Sequence, residues 1–293
     1  MEMDLQAYLK RIGYSGSVKP TLETLQQVHR CHMLTVPFES LTIHSGGKVE
    51  MELQWLYEKV VVQRRGGFCY ENNGLFSWLL TQLGFQVTIL AAQVRNRFTG
   101  LFGPPFDHII MMVTLEGQRW LCDVGFGACY ELPLSLETPS PQKQVHGVFR
   151  LKHQGDMIFL ESSAEAQGDV QGGVKDATLG GEINWTALYK FTLQPRQWKD
   201  FINMCEYHQT SPSSLFYCKS LCSLLLPHGR ITYMGYRLLV TTYPAEDGCP
   251  VVKTTQDLTD DEIPGVLKDQ FGIELSSPLT PKDENIVPPS VKY

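Results

Sequence analysis

The chain has 293 residues, 43% of them hydrophobic and 19% charged, an ordinary globular composition with enough length for a sizeable core and more than one subdomain. A formal net charge of −6 argues against a nucleic-acid-binding surface, which would be basic, and no apolar run approaches the roughly 20 residues that span a bilayer. The acidic start Met1-Glu2-Met3-Asp4 lacks the basic and apolar regions of a secretory signal, so the eight cysteines are expected to be reduced thiols of a cytoplasmic protein rather than a disulfide framework.

Leu5, Leu9 and Ile12 share one helical face, and Gly13 is a stop signal. A second amphipathic segment covers residues 22–34 and ends before Pro37, and a third covers residues 53–62. That third helix leads into Arg65-Gly66-Gly67-Phe68-Cys69-Tyr70-Glu71-Asn72-Asn73. Cys69 opens a further apolar-periodic stretch, Leu75, Phe76, Leu79, Leu80 and Leu83, which Gly84 stops. This is a helix with Cys69 in its first turn, where partial positive charge and free N–H groups favour a thiolate. Most free cysteines are small buried hydrophobes. The paired glycines, which allow a sharp turn and a close approach to the backbone, set this one apart as a candidate nucleophile.

From residue 85 the pattern changes to short strands, expected over residues 85–94, 108–115, 119–124, 148–153 and 157–161. Glu116-Gly117 reads as a two-residue hairpin turn. Leu115 then lies opposite Gln118 and Asp123 faces Ile110, which makes His108 and Asp123 diagonal neighbours on one face. A three-residue loop would put them on opposite faces, because the strand period is two. Residues 162–181, rich in Gly, Ala and Asp, read as a surface loop. Beyond residue 184 the pattern gives a helix near residues 197–207, strands near 230–240 and a helix over 260–271, with Thr259 as its N-cap and Gly272 as its stop. The proline-rich tail from Ser276 is expected to be extended.

A thiolate nucleophile needs a base and often a group that orients the base. Cys69, His108 and Asp123 supply that set. They could also be metal ligands, but the spacings of Cys122 to Cys129 and Cys218 to Cys222 are not those of a structural zinc site, and no metal is expected.

With these residues in place, the sequence resembles the arylamine N-acetyltransferases of vertebrate type. The resemblance rests on Arg65-Gly66-Gly67-Phe68-Cys69 with Asn73 four residues on, His108 opening a strand, Asp123-Val124-Gly125-Phe126-Gly127, and Val36-Pro37-Phe38-Glu39-Ser40-Leu41. It implies an α+β fold: a papain-like core with an N-terminal helical bundle (residues 1–84) carrying the nucleophile, a central β-barrel-like sheet (85–195, with an insert near 162–181) and a C-terminal α/β lid with an extended tail (196–293).

By the same resemblance Cys69 is the nucleophile, His108 the base and Asp123 its orienter. Acetyl-coenzyme A is the donor, and the acceptors are small arylamines and arylhydrazines, with O-acetylation of N-hydroxyarylamines as a further reaction. The cycle is ping-pong through acetyl-Cys69, in a cytoplasmic enzyme of xenobiotic metabolism. Phe38, Val94, Asp107, Phe126, Ala128 and Tyr130 match substrate-pocket positions, and the aromatics among them imply a narrow pocket for flat amines. Pro104, Tyr207, Ser213 and Ser290 match coenzyme positions. Pro104-Pro105 replaces the Thr/Ser-Gly pair of human-type members, removing a hydroxyl and an amide donor. Nothing in the pattern resembles a coiled-coil seam, and a monomer is expected.

The rival enzymatic reading is a cysteine peptidase or transglutaminase, which shares the Cys-His-Asp/Asn order. The papain-type Cys-Gly-Ser-Cys-Trp segment is absent. A catalytically idle binder of coenzyme A or small aromatics has no need of all three catalytic residue types.

Overall fold

Apolar periodicity becomes helix throughout the first third of the chain. In the computed structural model, which describes residues 2–97, 99–127, 129–163, 184–243, 251–291 and 293, α1 spans Leu5–Arg11. Gly13, at φ 71°, reverses the chain after it. Helix α2 (Leu22–Thr35) is capped by Thr21, whose hydroxyl accepts the Thr24 N–H at 3.2 Å. Strand β1 (Phe38–Glu39), α3 (Leu41–His44) and α4 (Leu53–Tyr57) follow, and α4 runs on as a π-helical turn, Glu58–Val62. Helix α5 spans Cys69–Gln82 and opens, as expected, with the cysteine. Its apolar face, with Leu75, Phe76, Leu79 and Leu80 fully buried, packs on α1 and α2 and against one side of a sheet.

The sheet is built from β2 (Gln86–Val94), β3 (His108–Leu115), β4 (Gln118–Cys122), β5 (Leu134–Ser135), β6 (Gln142–Gln144), β7 (Gly147–Gln154), β8 (Met157–Ser163) and β9 (Trp185–Phe191). The strand order is β5-β4-β3-β2-β9-β8-β7-β6. Its two edges are joined by side chains: the Gln142 amide accepts the Ser135 N–H at 2.9 Å and donates to the Ser135 carbonyl at 3.0 Å. That bridge bends the sheet toward a barrel and occupies edge groups that would otherwise be open to another chain. The β3–β4 hairpin has the anticipated register, Leu115 opposite Gln118 and Met111 opposite Cys122, over a turn with Glu116 at φ 50° and Gly117 at φ 77°.

A 3₁₀ turn, Trp198–Phe201, precedes α6 (Ile202–Thr210), and α7 (Leu215–Cys218) follows. Strands β10 (Leu221–Leu226), β11 (Gly229–Met234), β12 (Arg237–Thr242) and β13 (Val252–Asp257) pair in order, with β1 on the outer side of β10. Helix α8 (Ile263–Phe271) covers this second sheet and ends at Gly272, in the left-handed region. It starts three residues later than its sequence pattern implies. Thr259 instead anchors the preceding turn, its N–H and hydroxyl both donating to the Glu262 carboxylate. Ala128 and, apart from Ser162 and Ser163 of β8, the segment read as a surface loop lie outside the described residues.

A buried charge cluster joins these parts where the site is built. Arg65 grips Glu39 through two bonds of 2.9 and 3.0 Å, and Lys59 contacts both Glu39 and Glu71. All four side chains are buried. Burial alone would raise the Glu39 carboxyl, but Arg65 and Lys59 reverse this and hold it below its ordinary value. Lys59→Met should therefore cost roughly 3–5 kcal/mol in urea unfolding, because it takes from the buried Glu71 carboxyl, already raised by burial, the cation that compensates it. Adding Glu71→Gln should recover part of that loss, and simple additivity of the two changes would contradict the pairing.

Candidate active site

Cys69 owes its position to backbone made close by glycine. A Cβ on Gly66 would lie 1.8 Å from the Pro37 carbonyl oxygen, and one on Gly125 would lie 2.8 Å from the Cys69 Cα. No other residue fits either place. The Pro37-Phe38-Glu39 segment runs alongside Gly67, with the Gly67 N–H donating to Pro37 and the Glu39 N–H to Gly67. At the helix start the Phe68 N–H donates to the Glu71 carboxylate at 3.0 Å, satisfying one of the donors a helix leaves open. Cys69 is 2% exposed. Its Sγ lies 3.9 Å from the main-chain oxygen of Asp107.

His108 opens β3 and Asp123 follows β4. The register of the hairpin brings them together, His108 Nε2 lying 2.7 Å from Asp123 Oδ2. The other carboxylate oxygen accepts Asn73 Nδ2 at 2.8 Å and the Gly125 N–H at 2.9 Å. Asn73 also donates to the Ile109 carbonyl at 2.6 Å and accepts the Val124 N–H at 2.8 Å. Behind this network His29 accepts the Asp123 N–H at 3.2 Å through Nε2, and its Nδ1 faces the Glu131 carbonyl at 2.8 Å.

Burial drives the Cys69 thiol well above its ordinary range, and the Asp107 and Asp123 carboxyls push the same way, while the Ile109 N–H pulls it down. A lone thiolate is thus disfavoured here in spite of the helix terminus. Ionisation needs a compensating cation, and His108 lines the same cavity.

That cavity includes Cys69, His108, Phe38, Val94, Asp107 and Phe126 in its walls, and Pro104, Tyr207 and Ser213 also line it. Phe126 meets the His108 ring edge-on at 5.5 Å between centroids. The Asp107 carboxyl is buried and raised well above its ordinary range by that burial, although it accepts the Val94 N–H at 3.0 Å.

Two residues matched to the pocket or coenzyme positions are not cavity-lining. Tyr130 is fully buried, stacked on His29 and edge-on to Phe149, with its hydroxyl 3.3 Å from that of Tyr189. Ser290 is exposed, and its neighbour Pro289 lines the cavity instead. Sequence reasoning missed Tyr189, whose ring lies 5.3 Å from His108 and 5.4 Å from Phe126 and whose hydroxyl interacts with Asp123. Its strand, β9, is the signal that could have found it. His29 and His208, also missed, carry no local mark beyond their residue type.

Among the described residues, no group of three His, Cys, Asp or Glu side chains could hold a metal ion, seven cysteines are free, and no helix is long and apolar enough to cross a membrane.

A cysteine at a helix start beside a histidine–carboxylate pair on a sheet defines a cysteine-dependent transferase or hydrolase arrangement. Comparison with known proteins narrows the class. Residues 21–280 match the model of a family described as N-acetyltransferase. The chain is 36% identical over 282 residues to the chicken arylamine N-acetyltransferase, pineal gland isozyme NAT-10, covering 95% of this chain and 97% of the relative. It is 36% identical over 283 residues to human arylamine N-acetyltransferase 1, covering 96% and 97%. Among solved structures, the arylamine N-acetyltransferase of Mycobacterium tuberculosis superposes with a TM-score of 0.78 at 31% identity, over 92% of this chain and 93% of the other. That of Mycobacterium marinum in complex with CoA gives a TM-score of 0.77 at 29% identity over 92% and 93%. The chain belongs to the arylamine N-acetyltransferase family, acyltransferases that acetylate arylamines.

The site also predicts a pH dependence of stability. Burial lowers His29 to about 4, so below its ordinary range the unfolded chain binds a proton that the folded chain refuses. The His29 contribution is complete above about pH 6.5 and is lost as pH falls towards about 4. Urea unfolding should show His29→Leu flattening this acid loss, by roughly 1.4 kcal/mol per pH unit over that window. An unchanged slope would mean that His29 is charged in the folded state.

Proposed function

We propose that this protein moves the acetyl group of acetyl-coenzyme A to the nitrogen of small arylamines and arylhydrazines through an acetyl-Cys69 intermediate. The observation that carries the proposal is that Cys69 and His108 line one cavity while His108 Nε2 is held 2.7 Å from Asp123. With Nε2 engaged, Nδ1 is the ring nitrogen left to exchange a proton with the sulfur.

Transfer of the Cys69 proton to His108 creates a thiolate and an imidazolium together, so the site remains neutral apart from Asp123, and the burial that opposes a lone thiolate is offset. The thiolate adds to the thioester carbonyl. The N–H of Cys69, at the first helical position and without an acceptor in its own helix, is the donor we assign to the oxyanion. The coenzyme thiolate leaves, taking the imidazolium proton. The amine then adds to acetyl-Cys69, His108 accepts the amine proton, and the thiolate departs to restore the pair.

The acceptor lies against Phe126, Phe38 and Val94, whose apolar surfaces suit a flat ring. We assign coenzyme A to the side lined by Pro104, Tyr207 and Ser213; that a relative from Mycobacterium marinum was solved in complex with CoA supports the ligand, not the side. The Asp107 N–H donates to the Pro104 carbonyl at 3.2 Å, and neither Pro104 nor Pro105 has an N–H to offer a phosphate, so we assign this turn a shaping rather than a phosphate-binding role. O-acetylation of N-hydroxyarylamines would use the same acyl-enzyme. The setting we propose is a cytoplasmic monomer acting on foreign amines.

Steady-state rates with acetyl-coenzyme A and 4-aminobenzoate should give parallel double-reciprocal lines, and intersecting lines would contradict an acyl-enzyme. Cys69→Ala should abolish transfer. Asp123→Asn should lower kcat by about 10³-fold or more at constant fold, because a misoriented tautomer disables the base; near-normal activity would remove Asp123 from the mechanism.

A further inference from the structure

The main-chain carbonyl of Asp107 serves two groups. Its oxygen lies 3.9 Å from Cys69 Sγ and 3.0 Å from His208 Nε2. A carbonyl has no hydrogen to give, so Nε2 carries the proton of the neutral ring, and Nδ1 is left facing Ser214 Oγ at 3.0 Å. His208 stands on α6 and lines the cavity. Its ring is held against Phe68 and Tyr70, the sequence neighbours of Cys69, and against Phe216 of α7. Tyr70 donates to the carbonyl of Phe106 at 2.7 Å, so both peptides preceding His108 are held by hydrogen bonds.

The arrangement answers an electrostatic difficulty. A Cys69 thiol can donate weakly to the Asp107 oxygen, but a thiolate cannot, and it then faces the negative end of the carbonyl dipole in a low dielectric. We propose that His208 is a positioning residue of acetyl transfer: its Nε2–H draws on the Asp107 carbonyl and fixes the peptide leading into His108, so that this carbonyl opposes the Cys69 thiolate less. Burial lowers His208 to about 4, more than the Asp107 carbonyl raises it and with His108 acting in the same sense as burial; the ring therefore stays neutral, with its donor in place, across the working range. The other titratable groups near the sulfur are the carboxyls of Asp107 and Asp123, His108, Tyr70 on its own helix and Cys205 on α6. Changing His208 leaves all of them in place.

This inference rests on Cys69 being the nucleophile. The test is the rate of iodoacetamide alkylation of Cys69, followed by peptide mapping from about pH 5 to about pH 9, in the wild type, His208→Leu and His208→Gln. Leucine suits the ring-lined site, and the Ser214 hydroxyl, released from Nδ1, has the carbonyl of residue 208 within reach at 2.9 Å. The leucine variant should move the midpoint up by about one pH unit, and glutamine, which retains an N–H donor, should lie nearer the wild type. Should the leucine variant not fold, His208→Asn, too short to reach the carbonyl, is expected to show the same upward shift. An unchanged midpoint, or equal shifts for the leucine and glutamine variants, would overturn the role of His208. A wild-type Cys69 that labels no faster at neutral pH than the other cysteines would overturn the nucleophile reading and this inference with it.

Discussion

The Asp123 carboxylate is where the two halves of the site are fastened together. Asn73, on the cysteine-bearing helix, donates to one oxygen, and His108, on the adjacent strand, meets the other at 2.7 Å. His29 accepts the main-chain N–H of the same residue from a third element. A fully buried carboxylate survives only if its lone pairs are met by donors. Meeting them here fixes the distance between helix and sheet, the tilt of the imidazole and the path of the chain from Val124 to Gly125. The desolvation cost of Asp123 and the orientation of the proposed base therefore have a single solution.

A second constraint governs the other side of Cys69. Glu39, Lys59, Arg65 and Glu71 bring charges into the interior in compensating pairs, and Glu71 also accepts the N–H of Phe68. The motif flanking the cysteine is thus held by carboxylates from both β1 and α5. Such clusters contribute little net stability compared with apolar packing, but each member is costly to remove alone. What they supply is a defined backbone path across Gly66 and Gly67, where the Pro37 carbonyl comes so close that a side chain is excluded.

Much of this was legible because the signals are local. The Glu116-Gly117 turn fixes hairpin register, and register puts His108 and Asp123 on one face. The spacing of Leu75, Phe76, Leu79 and Leu80 fixes α5 and puts Cys69 at its start. What was not legible depends on contacts between distant segments. Strand β9 alternates Trp185, Ala187, Tyr189 and Phe191 with Thr186, Leu188 and Lys190, but nothing local says that it pairs between β2 and β8, so the approach of Tyr189 to His108 was not legible. Tyr130 reads as a pocket aromatic because it follows Asp123 closely, yet the chain turns it inward against His29 and Phe149. The sequence also does not show how far burial opposes the helix terminus at Cys69, because that depends on everything packed over the sulfur.

The central claim is that Cys69 carries the acetyl group between donor and acceptor. Mixing the protein with acetyl-coenzyme A in a single turnover, and reading intact mass followed by peptide mapping, tests it most directly. The account predicts one acetyl group per chain, confined to the peptide containing Cys69 and discharged when an arylamine is added. An unmodified chain under turnover conditions, or an acetyl group on another residue that the amine removes, would contradict it.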